Sequence, residues 1–167
     1  MTTNGTASDP RGPESAGVSA VLALVLSTVS FFALAIFGLG ALSVLTDADI
    51  ISVPGLGPAP GVIGMAGAVA AFAGVEGMAV RIARPLYRSV WVTALATALV
   101  HLVVVAVCAL IAAGDAVTAL VVAGDLVRGG ASAVILLAAA VAGWGGIALR
   151  RTRAQHPRWP WEGDQGE

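Results

Sequence analysis

The chain has no lysine: all nine of its basic residues are arginine, set against ten acidic ones for a net charge of −1. Charged residues of every kind make up 11% of the 167 residues, where a soluble domain carries about 25%. The polar surface that a chain of this length needs in water is therefore missing. There is one cysteine, Cys108. It can form no internal disulfide, and its apolar flanks give it the character of a small hydrophobe. No basic patch exists outside the ends of the apolar runs, so nucleic acid is not an expected partner. The pair Asp47-x-Asp49 lacks a third kind of ligand, so no metal is expected. The chain also lacks any nucleophile–base set; an enzyme is not expected, nor a cofactor.

What is present is apolar: 57% of residues are hydrophobic and the mean hydropathy is +0.90. The hydrophobic residues gather into runs close to the ~20 residues that cross a ~30 Å hydrocarbon core. Four such runs are expected as transmembrane helices, at about 18–45, 62–83, 90–113 and 131–149. They make a four-helix membrane domain over residues 17–150 of an all-α integral membrane protein whose first partner is the lipid bilayer. Residues 1–16 hold almost nothing apolar and read as a disordered tail. A cleaved signal peptide is not expected, since Arg11 is balanced by Asp9 and Glu14 and the run that follows far exceeds a signal's apolar core. Residues 151–167 form a second tail. Pro54, Gly55, Gly57, Pro58, Pro60 and Gly61 mark an irregular connector after the first run. Between the third and fourth runs, residues 114–130 hold a short apolar piece, Ala116 to Ala123. It reads as a short surface helix or as a continuation of the third span.

Arginine sets the expected orientation. Arg81, Arg84 and Arg88 share the connector between the second and third runs, and Arg150, Arg151 and Arg153 follow the fourth. The other two connectors carry Asp47, Asp49, Asp115 and Asp125 against Arg128 alone. The positive-inside rule places the arginine-rich side, and with it both termini, in the cytoplasm of a multi-pass plasma-membrane protein. Tyr87, Trp91 and Trp144 then fall near the inner interface. Trp159 and Trp161 of the tail also suit headgroups, beside Arg158.

Two ionisable residues break the apolar pattern, Glu76 in the second span and His101 in the third. Such groups are costly in lipid and by default face a partner or a cavity. At 1.5 Å per residue Glu76 lies roughly 9 Å deep and His101 roughly 16 Å. A direct pair is therefore not expected. Thr97 is nearer Glu76 in depth, and Ser30 of the first span is nearer His101. Thr93, Thr97, His101 and Cys108 fall within an arc of about 80° on the third span. The candidate intramembrane polar site is thus Glu76, Thr93, Thr97, His101 and Ser30. It has two readings: a proton or solute path, or polar glue between helices at about 0.6 kcal/mol per contact. Glue is favoured, because Ser and Thr commonly occupy helix contacts in membranes.

Gly67, Ala71, Gly74 and Met78 form a small-residue stripe on the second span, the pattern that lets helix backbones approach. Glu76 points about 160–180° away from Gly67 and Gly74. If both faces are buried, a further chain is needed, which favours a homo-oligomer or a larger membrane complex. The four-span pattern, the all-arginine basic content and the tail Pro157-Arg158-Trp159-Pro160-Trp161-Glu162 resemble small uncharacterised membrane proteins of actinobacteria. The resemblance implies this layout and no activity. The favoured functional expectation is a non-enzymatic subunit or scaffold of a membrane complex acting through helix–helix contacts. The alternative is a small oligomeric transporter or channel that uses Glu76 and His101.

Overall fold

The computed structural model describes residues 18–47, 57–82 and 86–152. The first tail and all of the second beyond Thr152 lie outside this set, as do Asp49, Arg84, Arg153 and the proline-tryptophan motif. The described residues form five helices: α1 (Ala20–Thr46), α2 (Ala59–Arg81), α3 (Ser89–Ala113), α4 (Ala116–Arg128) and α5 (Ala131–Arg151). Four of them, all except α4, are long and apolar enough to cross a membrane.

Local chemistry sets the helix ends. The Ser19 hydroxyl caps α1 by accepting from the Leu22 N–H at 3.1 Å. α2 starts at Ala59, with Pro60 in its first turn, although the sequence alone places Pro60 and Gly61 in the connector. Proline lacks only an N–H that the first turn leaves unpaired anyway, so it opens a helix as readily as it interrupts one. Gly114 ends α3 in the left-handed region at φ 67°, a conformation that costs glycine little. The apolar residues beyond it therefore do not continue α3. They form α4, capped by the Asp115 carboxylate, which accepts from the backbone N–H of Thr118 at 2.9 Å and of Val117 at 3.2 Å. The Thr118 hydroxyl donates to the same group at 2.9 Å. These donors hold the exposed Asp115 carboxyl below its ordinary pKa, the Thr118 amide first.

α1 lies mainly against α5 and α2 mainly against α3, while α3 and α5 close the bundle between them. The buried positions recur every four residues: Ala23, Ser27, Phe31 and Ala35 on α1; Gly64, Ala68, Phe72, Glu76 and Val80 on α2; Thr93, Thr97, His101, Val105 and Ala109 on α3. One apolar cluster joins α1, α2, α3 and α5 around Phe31, Phe72, Ile135 and Ala139. A second seats Val122 and Leu126 of α4 against Val105 and Ala109 of α3. The outward surface is apolar, including Val21, Phe37, Leu99, Ile111 and Leu137.

The two ends of the bundle differ. Where α2 meets α3, Arg150 of α5 donates from Nε to the Val80 carbonyl at 3.0 Å and from Nη1 to the Val18 carbonyl at 2.7 Å. It thereby satisfies one of the last carbonyls of α2, which have no partner inside their own helix. Arg151 stands 4.8 Å over the Tyr87 ring. Tyr87, Trp91 and Trp144 face outward at this end. At the opposite end α1 and α2 stand apart, leaving a groove of about 1110 Å³.

Candidate functional site

At the arginine end, four helices contribute to a closed polar site around Glu76. Its side chain is fully buried, as are those of Thr93 and Thr97, with Ser27 and His101 nearly so. Glu76 Oε2 accepts from the Thr93 hydroxyl at 3.2 Å. Oε1 is buried with no hydrogen-bond partner. On the α5 side the carboxylate rests on glycine: a β-carbon added at Gly143 would lie 3.3 Å from Oε2, and one at Gly146 would lie 2.8 Å from Oε1. The same Gly146 atom would stand 3.0 Å from Ser27 Cβ. Ser27 itself donates to the Leu24 carbonyl at 3.0 Å. A helix without side chains at two positions one turn apart thus makes the room that a carboxylate needs at the bundle centre.

One turn further along, Phe31 and Phe72 stack with centroids 4.7 Å apart and planes 11° from parallel. These rings lie between the Glu76 site and the levels of Ala35 and Ala68. Thr97 is on α3, between Thr93 and His101, with its hydroxyl buried and unpartnered. His101 opposes Gly64 and forms part of the groove wall, and its Nδ1 is buried without a partner. Glu76 and His101 therefore occupy separate levels, joined along α3 by Thr97.

The donor to Glu76 is Thr93, not Thr97. A depth of roughly 9 Å for Glu76 takes the second span to end at Ile82 and the third to start at Val90, whereas α2 ends at Arg81 and α3 starts at Ser89. Five residues separate Glu76 from its helix end and four separate Thr93 from its own, so these two share a level. Ser30 is exposed on the outer side of α1; Ser27, in the stripe Ala23–Ser27–Phe31–Ala35, supplies the hydroxyl at the site. The stripe on α2 also divides. Gly67 packs on α3, where a β-carbon would meet Val104 at 3.1 Å, and Ala71 is half-buried. Gly74 is exposed, with nothing within 4 Å of its β-carbon position. The close α2–α3 approach comes instead at Gly64, whose added β-carbon would collide with Val105.

Gly143 and Gly146 were missed by reading the sequence. The signal was there, in the Gly143-Trp-Gly145-Gly146 cluster of an otherwise alanine- and leucine-rich span, but only the fold aims it at Glu76. Cys108 is half-buried and free. Among the described residues no group of three or more His, Cys, Asp or Glu side chains could hold a metal ion.

Four long apolar helices around a buried polar site are the architecture of a small polytopic membrane protein, and their composition suggests one. The chain belongs to a family of unknown function, DUF6121, whose model matches residues 14–167. No curated protein and no solved structure matches it.

Proposed function

We propose that this chain is a non-enzymatic protein of the plasma membrane, with both termini in the cytoplasm, that serves as a subunit or scaffold through helix contacts with other chains. One observation carries this reading: Ser27, Glu76, Thr93, Thr97 and His101 all turn inward within a single chain, while the rim is apolar. Thr93 holds α3 to α2 through Glu76, which is what polar glue does. A carboxylate this enclosed is out of reach of a substrate. The rim also offers open small-residue positions at Gly40 and Gly74, beside an exposed Met78, where another helix can approach closely. Purification in mild detergent should therefore recover the chain with a stoichiometric partner or as a homo-oligomer; a lone monomer under conditions that preserve its fold would count against this reading.

The orientation rests on Arg81, Arg88, Arg150 and Arg151 lying at one end of the bundle, opposite Asp47, Asp115 and Asp125. A cysteine placed at Gly57 or Asp115, in a Cys108→Ala background, should react with an impermeant thiol reagent added outside intact cells. One placed at Arg88 should not. The reverse pattern would invert the topology.

A transporter or channel is the second reading. It is favoured by the line from Glu76 through Thr97 to His101 and the groove, since buried hydroxyls and an imidazole with unpartnered atoms are the lining of such a path. Absence of proton-driven flux in proteoliposomes would remove it.

A further inference from the structure

The groove between α1 and α2 plays no part in the subunit reading, and the transporter reading uses only its His101 edge. α1 contributes Phe32, Ile36 and Leu39, and α2 presents a shallow wall of Ala66, Ala70 and Ala73. Its volume of about 1110 Å³ is just above the range of a ligand pocket, roughly 300–1000 Å³. Among the described lining residues His101 alone carries an ionisable side chain, and it is 3% exposed. None of the described lining residues is an arginine or a carboxylate that could offset a charge, so a charged occupant would be penalised.

His101 is the thirteenth residue of the 25 in α3, roughly 18 Å from either helix end. The ester carbonyls of ordinary phospholipids lie outside the ~30 Å hydrocarbon core, well away from its centre. The imidazole also constrains the partner. A neutral ring has one N–H and one bare nitrogen. With Nδ1 buried and unpartnered, the arrangement that strands a lone pair rather than an N–H puts the proton on Nε2, because an orphaned donor is the rarer defect. Nε2 lies on the side of α2, 3.5 Å from where a β-carbon of Gly64 would stand, and His101 lines the groove. The groove therefore offers one hydrogen-bond donor at mid-depth beside a flat apolar wall.

We propose that this groove binds an uncharged, membrane-dissolved lipid with a planar carbonyl-bearing head, of the quinone type, whose carbonyl accepts a hydrogen bond from His101. The head lies against the alanine wall of α2, and the tail follows the groove between α1 and α2 towards its open side. The occupant reaches the site from within the bilayer.

The test uses the full chain in mild detergent, a decyl-tailed benzoquinone as probe, and intact-complex mass spectrometry with thermal melting. Saturable binding of one probe per chain is expected. His101→Leu should weaken it about five- to tenfold, the worth of one neutral hydrogen bond, and His101→Gln, which retains an N–H donor, should keep most of it. Ala70→Trp, at an exposed groove position, should abolish binding while leaving the melting temperature unchanged. No saturable binding to the wild type would overturn the proposal. So would equal binding of decylbenzene, which has no carbonyl and would make the groove a seat for plain hydrocarbon. A changed particle size in Ala70→Trp without probe binding to the wild type would hand the groove to a helix of a second copy.

Discussion

Gly146→Ala is expected to destabilise the bundle by about 1–3 kcal/mol, the usual cost of forcing a methyl into a filled interior. The new carbon would stand 2.8 Å from Glu76 Oε1 and 3.0 Å from Ser27 Cβ. The carboxylate tip could retreat only by giving up the hydroxyl of Thr93 or pressing on Phe72. Gly143→Ala meets Glu76 at 3.3 Å and Phe72 at 3.9 Å, so it should cost less. Gly145→Ala has nothing within 4 Å and should be neutral or stabilising by roughly 0.5–1 kcal/mol, as when alanine replaces glycine inside a helix. Thermal unfolding in mild detergent ranks the three. The cause is isolated by repeating Gly146→Ala in a Glu76→Ala background, where coupling of about 0.5–3 kcal/mol should appear. Additive effects would mean that Gly146 matters for some reason other than the carboxylate. Glu76→Gln keeps the shape and an oxygen for Thr93, so it should leave folding nearly unchanged. Under the transporter reading it should also abolish proton-coupled flux.

Gly64→Leu should be as damaging or more so. Its first side-chain carbon would collide with Val105, and His101 lies just beyond. Gly64 and Val105 both sit in fully enclosed rows of α2 and α3, so neither helix can yield without parting from the other. The expected loss is at the upper end of about 1–3 kcal/mol or beyond it. Gly74→Leu provides the contrast. Its side chain would enter open space, so the stability of the single chain should stay within about 0.5 kcal/mol of wild type. Any fall in detergent-extracted size would then report a contact with another chain. Unchanged size and stability would assign the Gly74 side to lipid and remove the support that small-residue stripe gives to assembly. Should Gly64→Leu prove as mild as Gly74→Leu, the α2–α3 seam would be wrongly placed.

Much of the layout was legible without coordinates because four runs of the chain are long and apolar enough to cross a bilayer. A hydrocarbon core admits only segments that satisfy their own backbone, so run length, mean hydropathy and breakers were enough to find α1, α2, α3 and α5 to within three residues at each end. The segment 114–130 stayed open between two readings. Its apolar content suits either a surface helix or a longer α3, and the choice depends on a left-handed Gly114 followed by a capping Asp115. The prolines at the start of α2 misled for a related reason, since the same residue serves as a connector or as a first turn.

Glu76 and His101 stood out by chemistry alone: an ionisable group in a long apolar run is expensive wherever it points. Composition and periodicity thus determined the number of long apolar helices, their approximate limits, the arginine asymmetry and the two residues that must be shielded. Which groups shield them was decided by tertiary structure. Depth along a helix is counted from its end, and a shift of one residue at each of Arg81 and Ser89 moves the partner of Glu76 from Thr97 to Thr93. Direction around a helix turns 100° per residue, so Ser27 faces the carboxylate while Ser30, three positions on, faces out. Gly143 and Gly146 become a cradle only because α5 crosses α2 at the level of Glu76. The groove beside His101 belongs to no single segment; it exists because α1 leans on α5 and α2 on α3, a pairing among four long apolar helices that local sequence does not encode.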